Sequence, residues 1–351
     1  MDDTFQAARK NVKGRGTGEL AKGRFERIEV VYEEEDAQQV ETQVFRDASR
    51  SILARNDSPD VGFSVSLNPY RGCEHGCIYC YARPTHEYFS LSAGLDFESK
   101  LFVKTEAPAL LRAELRKKSW KPQPIILSGV TDCYQPLERK MELTRSCLQV
   151  LAEFRNPAAI ITKNHLVTRD IDVLKELASY DAIHVVISIT TLDSELARKM
   201  EPRASQPKRR LQAIEELSAA GIPVSVNMAP IVPGLTEHEI PTLLKSAADA
   251  GARSAHYVML RLPHSVKDLF QKWLEEHYPM RKEKVLNRIR DVRGGELYDS
   301  DFGSRMKGEG TYADHIAQMF AQARKANGLD KRSSILSTAH FKRQDVQLSL
   351  L

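Results

Sequence analysis

Between residues 63 and 262 six short apolar runs recur, and the segments that separate them carry a helical rather than a strand period. The runs are FSVSLNP, PIILSG, AAIITK, IHVVISIT, IPVSVNMAP and AHYVMLRL, each rich in β-branched residues and apolar enough to lie buried on both faces. Between them, APALLRAELRKK sets Ala107, Leu110, Leu111 and Leu115 on one stripe, and LERKMELTRSCLQVLAEF does the same with Met141, Leu148 and Leu151. RDIDVLKELAS and RRLQAIEELSAAG follow, the second stopped by Gly221, where a left-handed C-cap is expected. The next helix opens on Thr236-x-x-Glu239, a capping box before Ile240, Leu243 and Leu244, and stops at Gly251. A strand and helix alternation of this kind specifies a parallel sheet with right-handed crossovers, and it places chemistry at the C-terminal ends of the strands. The span from Phe63 to Pro279 holds six units rather than eight. The expected fold class is therefore α/β with a partial (β/α)6 barrel of the TIM type, a doubly wound sheet being the alternative.

The chain has 351 residues. A single barrel needs only about 200 to 250, so appendages are expected on one core. Residues 1–60 carry KNVKGRGTGELAKGR followed by the acidic run YEEEDAQQVE and read as a flexible or loosely docked N-terminal arm. Residues 61–275 form the expected barrel and 276–351 a helical C-terminal extension rich in Lys and Arg. Tyr298, Phe302 and Tyr312 lie among those basic residues, a mixture that suits a phosphate-bearing substrate and equally an ordinary solvated helix face. Net charge is +4 and the isoelectric point about 8.7, which permits a polyanionic partner without requiring one. There is no apolar run of about 18 residues and no apolar segment at the N-terminus, so a cytoplasmic protein without a membrane partner is expected.

Five cysteines is an odd number, and three of them stand within the eight residues of Cys73-x3-Cys77-x2-Cys80, which is not a disulfide framework. This loop follows the first predicted strand and so lies at the functional rim. Gly72 and Gly76 allow its backbone to wrap an ion or cluster, and neighbouring thiolates demand a metal or a proton. Zinc requires four tetrahedral ligands, and His75 or His86 is available to complete such a site. An iron–sulfur cube is normally held by four cysteines. On residues alone, the site is one ligand short for either metal: incomplete, or deliberately open.

The same stretch, YRGCEHGCIYCYAR, resembles the C-x3-C-x2-C signature of the radical S-adenosylmethionine (radical SAM) superfamily, with Tyr79 before the last cysteine. SGVTDCYQPLE, ITKNHLVTRD, VVISITTLD and EPRASQPKRRLQAI are similar to successive strand-end motifs of its spore photoproduct lyase-like branch, so the resemblance covers residues 63–265. It implies that Cys73, Cys77 and Cys80 hold three irons of a [4Fe–4S] cluster whose fourth iron is chelated by S-adenosyl-L-methionine, and that a low-potential electron donor of the flavodoxin or ferredoxin type reduces it. It also implies cofactor contacts from Tyr79, Tyr81, Thr131, Asp132, Lys163 and Ser188, with Arg203 a second candidate for the methionyl carboxylate. Asp132 and Lys163 have plainer readings as a helix cap and a solvated charge, and Ser188 as a barrel filler.

One position departs from the pattern. Spore photoproduct lyases carry a hydrogen-donating cysteine where this chain has Gly129, and Cys133 lies four residues later. Cys133 is accordingly the candidate hydrogen-atom donor, its alternative being a small buried apolar residue. The expected function is a radical SAM enzyme acting on a nucleic acid lesion or modified base. A peptide or small metabolite as substrate, or a non-catalytic zinc-stabilised nucleic-acid-binding module, are the rivals.

Overall fold

The computed structural model describes residues 14–19, 21, 24, 40–331 and 335–343. Ten strands are found among them: β1 (Gln43–Arg46), β2 (Leu53–Arg55), β3 (Val65–Leu67), β4 (Tyr70–Arg71), β5 (Lys100–Val103), β6 (Ile125–Leu127), β7 (Ala158–Thr162), β8 (Ile183–Ser188), β9 (Val224–Ile231) and β10 (Ser254–Met259). The main sheet has the order β10-β9-β8-β7-β6-β3-β2, parallel throughout except for the antiparallel pair β2 and β3. The six predicted strands are thus β3, β6, β7, β8, β9 and β10, and they follow one another across the sheet without reversal. A doubly wound sheet reverses at a switch point and covers both faces with helices. Here the helices between the strands share one core with one strand face: Leu111, Leu148, Leu174, Ile214 and Leu244 pack with Val65, Leu127, Ile160, Val185, Val226 and Ala255. The fold is therefore the partial-barrel kind, wound in one direction.

The other strand face is also largely buried, as expected, but it is mixed in character. Alternation along the pleat places Ser66, His184, Ser188, Ser225, Asn227, Ser254 and His256 on it among Ile126, Ile161 and Val186, so the lumen lining is polar in part. Helix ends follow the sequence in part. Gly221 (φ +82°) and Gly251 (φ +100°) close their helices with paired bonds, Ile222 N–H to Leu217 O and Ala252 N–H to Ala247 O among them. The capping box at Thr236 does not form. Thr236 Oγ1 instead accepts from Val232 N–H at 2.8 Å, and the Glu239 carboxylate reaches across to Thr191 Oγ1 and Leu192 N–H. The helix predicted across Leu137–Phe154 is broken at Glu142 (φ +51°) into Glu138–Met141 and Leu143–Phe154, because the buried Glu138 carboxylate caps the second piece through Thr144 N–H at 3.1 Å.

Two boundaries shift. The arm expected over residues 1–60 contributes β1, which joins β5 and β4 in a three-stranded sheet, and β2, which extends the main sheet; residues 32–39 of its acidic run lie outside the described residues. The boundary at 275 falls inside the helix Val266–His277, whose Phe270, Trp273 and Leu274 pack with Ile78 and Tyr79 of the cysteine loop. The C-terminal extension then spans the open side. Asp60, between β2 and β3, accepts from Gly303 N–H at 2.6 Å and pairs with Arg305, while Arg293 donates to the Met259 and Leu260 carbonyls at the end of β10. The helix Thr311–Ala326 covers β10, with Phe320 4.7 Å from Tyr257. Among the described residues, no helix is long and apolar enough to cross a membrane.

Candidate functional site

The cysteine loop is anchored at both ends. Asn68, just after β3, accepts from Val130 N–H (2.9 Å) and Thr131 N–H (3.3 Å), which ties the first rim loop to the one after β6. Gly72 (φ +77°) turns the chain where a Cβ would stand 2.9 Å from the Phe97 carbonyl, and Cys73 N–H then donates to that carbonyl at 2.9 Å. Arg83, fully buried, bonds the Cys77 carbonyl at 2.9 Å and the Glu98 carboxylate at 2.5 Å. Cys73 and Cys77 are buried, Cys80 is half-buried, and all are free thiols.

Burial raises the Cys73 thiol, with Asp132 adding to the effect, and likewise Cys77, with Glu201 adding. Cys80 is raised by burial against the opposing pull of Arg83 and the Ala82 N–H. Three thiols held protonated side by side become thiolates when positive charge compensates for lost water, which is what bound iron supplies. Among the described residues, no three His, Cys, Asp or Glu side chains converge as a single ion requires. His75 and His86 do not complete a zinc site. His75 faces Asp132 (3.4 Å) and Asn164 (3.2 Å), and His86 bonds the Lys100 carbonyl.

Behind the loop lies a buried ionic network that the sequence reading overlooked. Glu201 pairs with Arg210, accepts from the Tyr79 hydroxyl and from Thr190 Oγ1 (2.7 Å), and lies 3.8 Å from Lys163 Nζ. Burial alone pushes its carboxyl up, but the Arg210 guanidinium and Lys163 ammonium hold it down at about 2. Lys163 Nζ donates to Ala229 O at 2.8 Å and stands 5.8 Å from the Tyr79 ring centroid. Arg210 carried a signal: it shares the apolar stripe of its helix with Ala213, Ile214 and Leu217, where a cation requires a buried partner. Asn227, paired in register with Ser188 on the lumen face, was also overlooked, and its Oδ1 is buried without a partner among the described residues.

The remaining predicted residues divide into two sets. Asp132 is fully engaged by Thr162 Oγ1 (2.8 Å), Lys163 N–H (2.7 Å), Tyr134 N–H (2.8 Å) and His75. Thr131 Oγ1 donates to the Tyr70 carbonyl at 3.2 Å. Both therefore brace the rim loops. Cys133 is 0% exposed in the main helix-side core, its N–H turned to Ser128 Oγ at 2.8 Å, the surroundings expected of its alternative reading as a small buried apolar residue. At Gly129 a Cβ would stand 3.0 Å from Ser66 Cβ, so a cysteine there is crowded. Arg203 is paired with Glu74 at 3.0 Å. Tyr79 is buried, whereas Tyr81 is exposed, with its hydroxyl on the Gly129 carbonyl (2.8 Å) and Arg261 over its ring at 5.6 Å. Exposed Val130 lies on the neighbouring rim loop.

Known proteins resemble this chain in sequence and in fold. The family model described as the Radical SAM superfamily matches residues 67–247. An uncharacterized protein of Mycobacterium tuberculosis is 36% identical over 232 residues, covering 66% of this chain and 67% of the relative. One of Methanocaldococcus jannaschii is 29% identical over 233 residues, covering 66% and 83%. Among solved structures, spore photoproduct lyase complexed with dinucleoside spore photoproduct superposes with a TM-score of 0.57 at 14% identity, over 81% of this chain and 79% of that one. A mutant of that enzyme with bound AdoMet and dinucleoside spore photoproduct gives 0.55 at 14% identity, over 81% and 78%. These last two likenesses concern the fold.

Proposed function

The chain belongs to the radical SAM superfamily, and from that premise we propose an enzyme that cleaves S-adenosylmethionine at a [4Fe–4S] cluster on Cys73, Cys77 and Cys80 and acts on a nucleic acid lesion or modified base. The observation that carries the reading is the set of three buried or half-buried free thiols on one strand-end loop, within the residues that the family model matches. Burial holds those thiols protonated until iron compensates, so the donor set fits the cluster. When bound, cluster and SAM together supply one-electron cleavage of the sulfonium and a 5′-deoxyadenosyl radical for hydrogen abstraction. The electron comes from a low-potential carrier of the flavodoxin or ferredoxin type.

The chain's own residues hold and shield. Arg83 fixes the Cys77 carbonyl, and Asp132 couples the loop to β7 through His75 and Lys163. Ser188 and Asn227 face the lumen, and Asn227 Oδ1, without a partner among the described residues, suits a ribose or amino-acid group. Tyr81, exposed and carrying the Arg261 guanidinium on one face, with Val130 nearby, makes a stacking platform for a base at the entrance. Gly129 and the buried Cys133 leave no thiol at the end of β6, so hydrogen return through a cysteine at that place is not part of the proposed mechanism.

The test is a substrate screen on anaerobically reconstituted, reduced protein, with 5′-deoxyadenosine as readout. DNA, including UV-irradiated oligonucleotides, or RNA should bind and stimulate its formation. Stimulation by peptide or metabolite pools alone would keep the radical chemistry and remove the nucleic acid substrate.

A further inference from the structure

The sequence stretch GRGTGE, residues 14–19, was read as part of a loose arm, yet it lies against the cysteine loop. Gly16 packs so closely on Gly76, the residue before Cys77, that a Cβ on Gly16 would stand 1.7 Å from the Gly76 carbonyl oxygen. Only glycine fits, since the obstructing atom is backbone. Gly16 N–H donates to Glu98 Oε2 at 2.8 Å, and Arg15 donates to the Glu98 carbonyl (2.5 Å), the Val40 carbonyl (2.8 Å) and Thr42 Oγ1 (3.0 Å). Glu98 is itself fully buried and holds Arg83, which holds the Cys77 carbonyl. Thr42 donates onward to Glu74 at 2.6 Å, and Glu74 pairs with Arg203. Further along, Leu95 N–H donates to the Glu19 carbonyl at 2.7 Å, where a Cβ on Gly94 would stand 2.0 Å from the same oxygen. Two glycines on the cluster side and one on the segment are therefore matched to a close backbone approach, which flexible tethering does not require.

We propose that residues 14–19 form a wall of the cluster site, with Arg15 and Gly16 as positioning residues that clamp the Gly76 peptide and Glu98 and limit access of water and dioxygen to the cluster. The inference rests on the cluster reading of Cys73, Cys77 and Cys80. Its consequence follows from the exposure of the cluster: solvent contact sets both oxidative loss and reduction potential, and opening of a hydrogen-bonded segment is a local equilibrium that such bonds hold closed.

The experiment uses the full chain, reconstituted without oxygen, as wild type, Arg15→Gln, Arg15→Lys and Gly16→Ala. Iron and sulfide content, loss of the cluster's visible absorbance on exposure to air and the cluster midpoint potential are measured on each. Arg15→Gln should take up iron normally but bleach about tenfold faster, the effect of about 1.4 kcal/mol on an opening equilibrium, with Arg15→Lys partly restoring the wild-type rate. Equal bleaching rates and potentials in variants that carry the cluster would overturn the wall. Should Gly16→Ala not fold, the native chain still decides: trypsin cleavage after Arg15, assigned by mass, should be about tenfold slower with the cluster than without it, by the same arithmetic. Equal rates there would also refute the proposal. Wild-type protein that takes up no cluster at all would instead refute the functional reading beneath it.

Discussion

Replacing Arg210 with methionine tests the buried network that supports Tyr79 and the cysteine loop. Arg210 is 1% exposed and bonds the Ser205 carbonyl (2.6 Å), the Ser188 carbonyl (3.1 Å) and the Glu201 carboxylate. The methionine fills most of its volume but leaves Glu201 with only the more distant Lys163 as a cation. Breaking a buried pair by removing one partner costs about 3 to 5 kcal/mol. An independent route gives a similar figure: a carboxyl moved from 4.5 to about 2 is linked to about 3 kcal/mol. Because the folded value lies below the unfolded one, this contribution is fully present above about pH 4.5 and is lost as pH falls towards 2. Urea denaturation of both proteins, compared across pH, should show the variant about 3 to 5 kcal/mol less stable at neutral pH, with the gap narrowing in that acid window. Glu201→Gln in the Arg210→Met background should recover part of the loss by removing the unpaired charge. A deficit under about 1 kcal/mol, or one independent of pH, would show that the pair is not the electrostatic brace described.

Three further outcomes follow from the site. Cys133→Ala should cost about 1 to 2 kcal/mol in a denaturation experiment through lost core packing and leave 5′-deoxyadenosine formation and product ratios unchanged; altered products would return the thiol to the chemistry. Gly129→Cys should destabilise by about 1 to 3 kcal/mol, read by thermal or chemical unfolding, because its Cβ presses on Ser66; a neutral change would show room for a thiol there. His184, lowered to about 4 by burial and then by His256 and Arg253, should confer stability that is complete above about pH 6.5 and lost as pH falls through 4. His184→Gln should flatten the stability profile in that window, and an unchanged slope would assign the dependence to another group.

The six parallel strands of the main sheet and the helix stops at Gly221 and Gly251 were legible because each depends on residues close together in the chain, whereas β1, β2, β4 and β5 were not. The cysteine loop was legible for the same reason. Contacts from far along the chain were not. Glu239 abandons the capping box for a loop 47 residues away, and Glu138 acquires a capping role that breaks a helix with an unbroken apolar stripe. Strands read as buried on both faces are so, but the polar part of the lumen face was not legible, since residues such as Ser225 and Asn227 acquire meaning only when the strands are paired in register. Residues chosen for their chemistry met the same limit: Asp132 sits at the expected rim, but its oxygens are already engaged by Thr162, Lys163, Tyr134 and His75. Arg15 and Gly16 were invisible as site residues because Gly76 and Glu98 lie 60 and more positions away.

The central claim is that the ligand missing beside Cys73, Cys77 and Cys80 is reserved for S-adenosylmethionine. Electron paramagnetic resonance of the anaerobically reconstituted, reduced protein tests this most directly, recorded before and after the cofactor is added. A [4Fe–4S] signal whose spectrum changes on addition of S-adenosylmethionine, and which is lost in Cys77→Ala, is the predicted result. A colourless zinc-loaded protein, or a cluster signal indifferent to the cofactor, would contradict it.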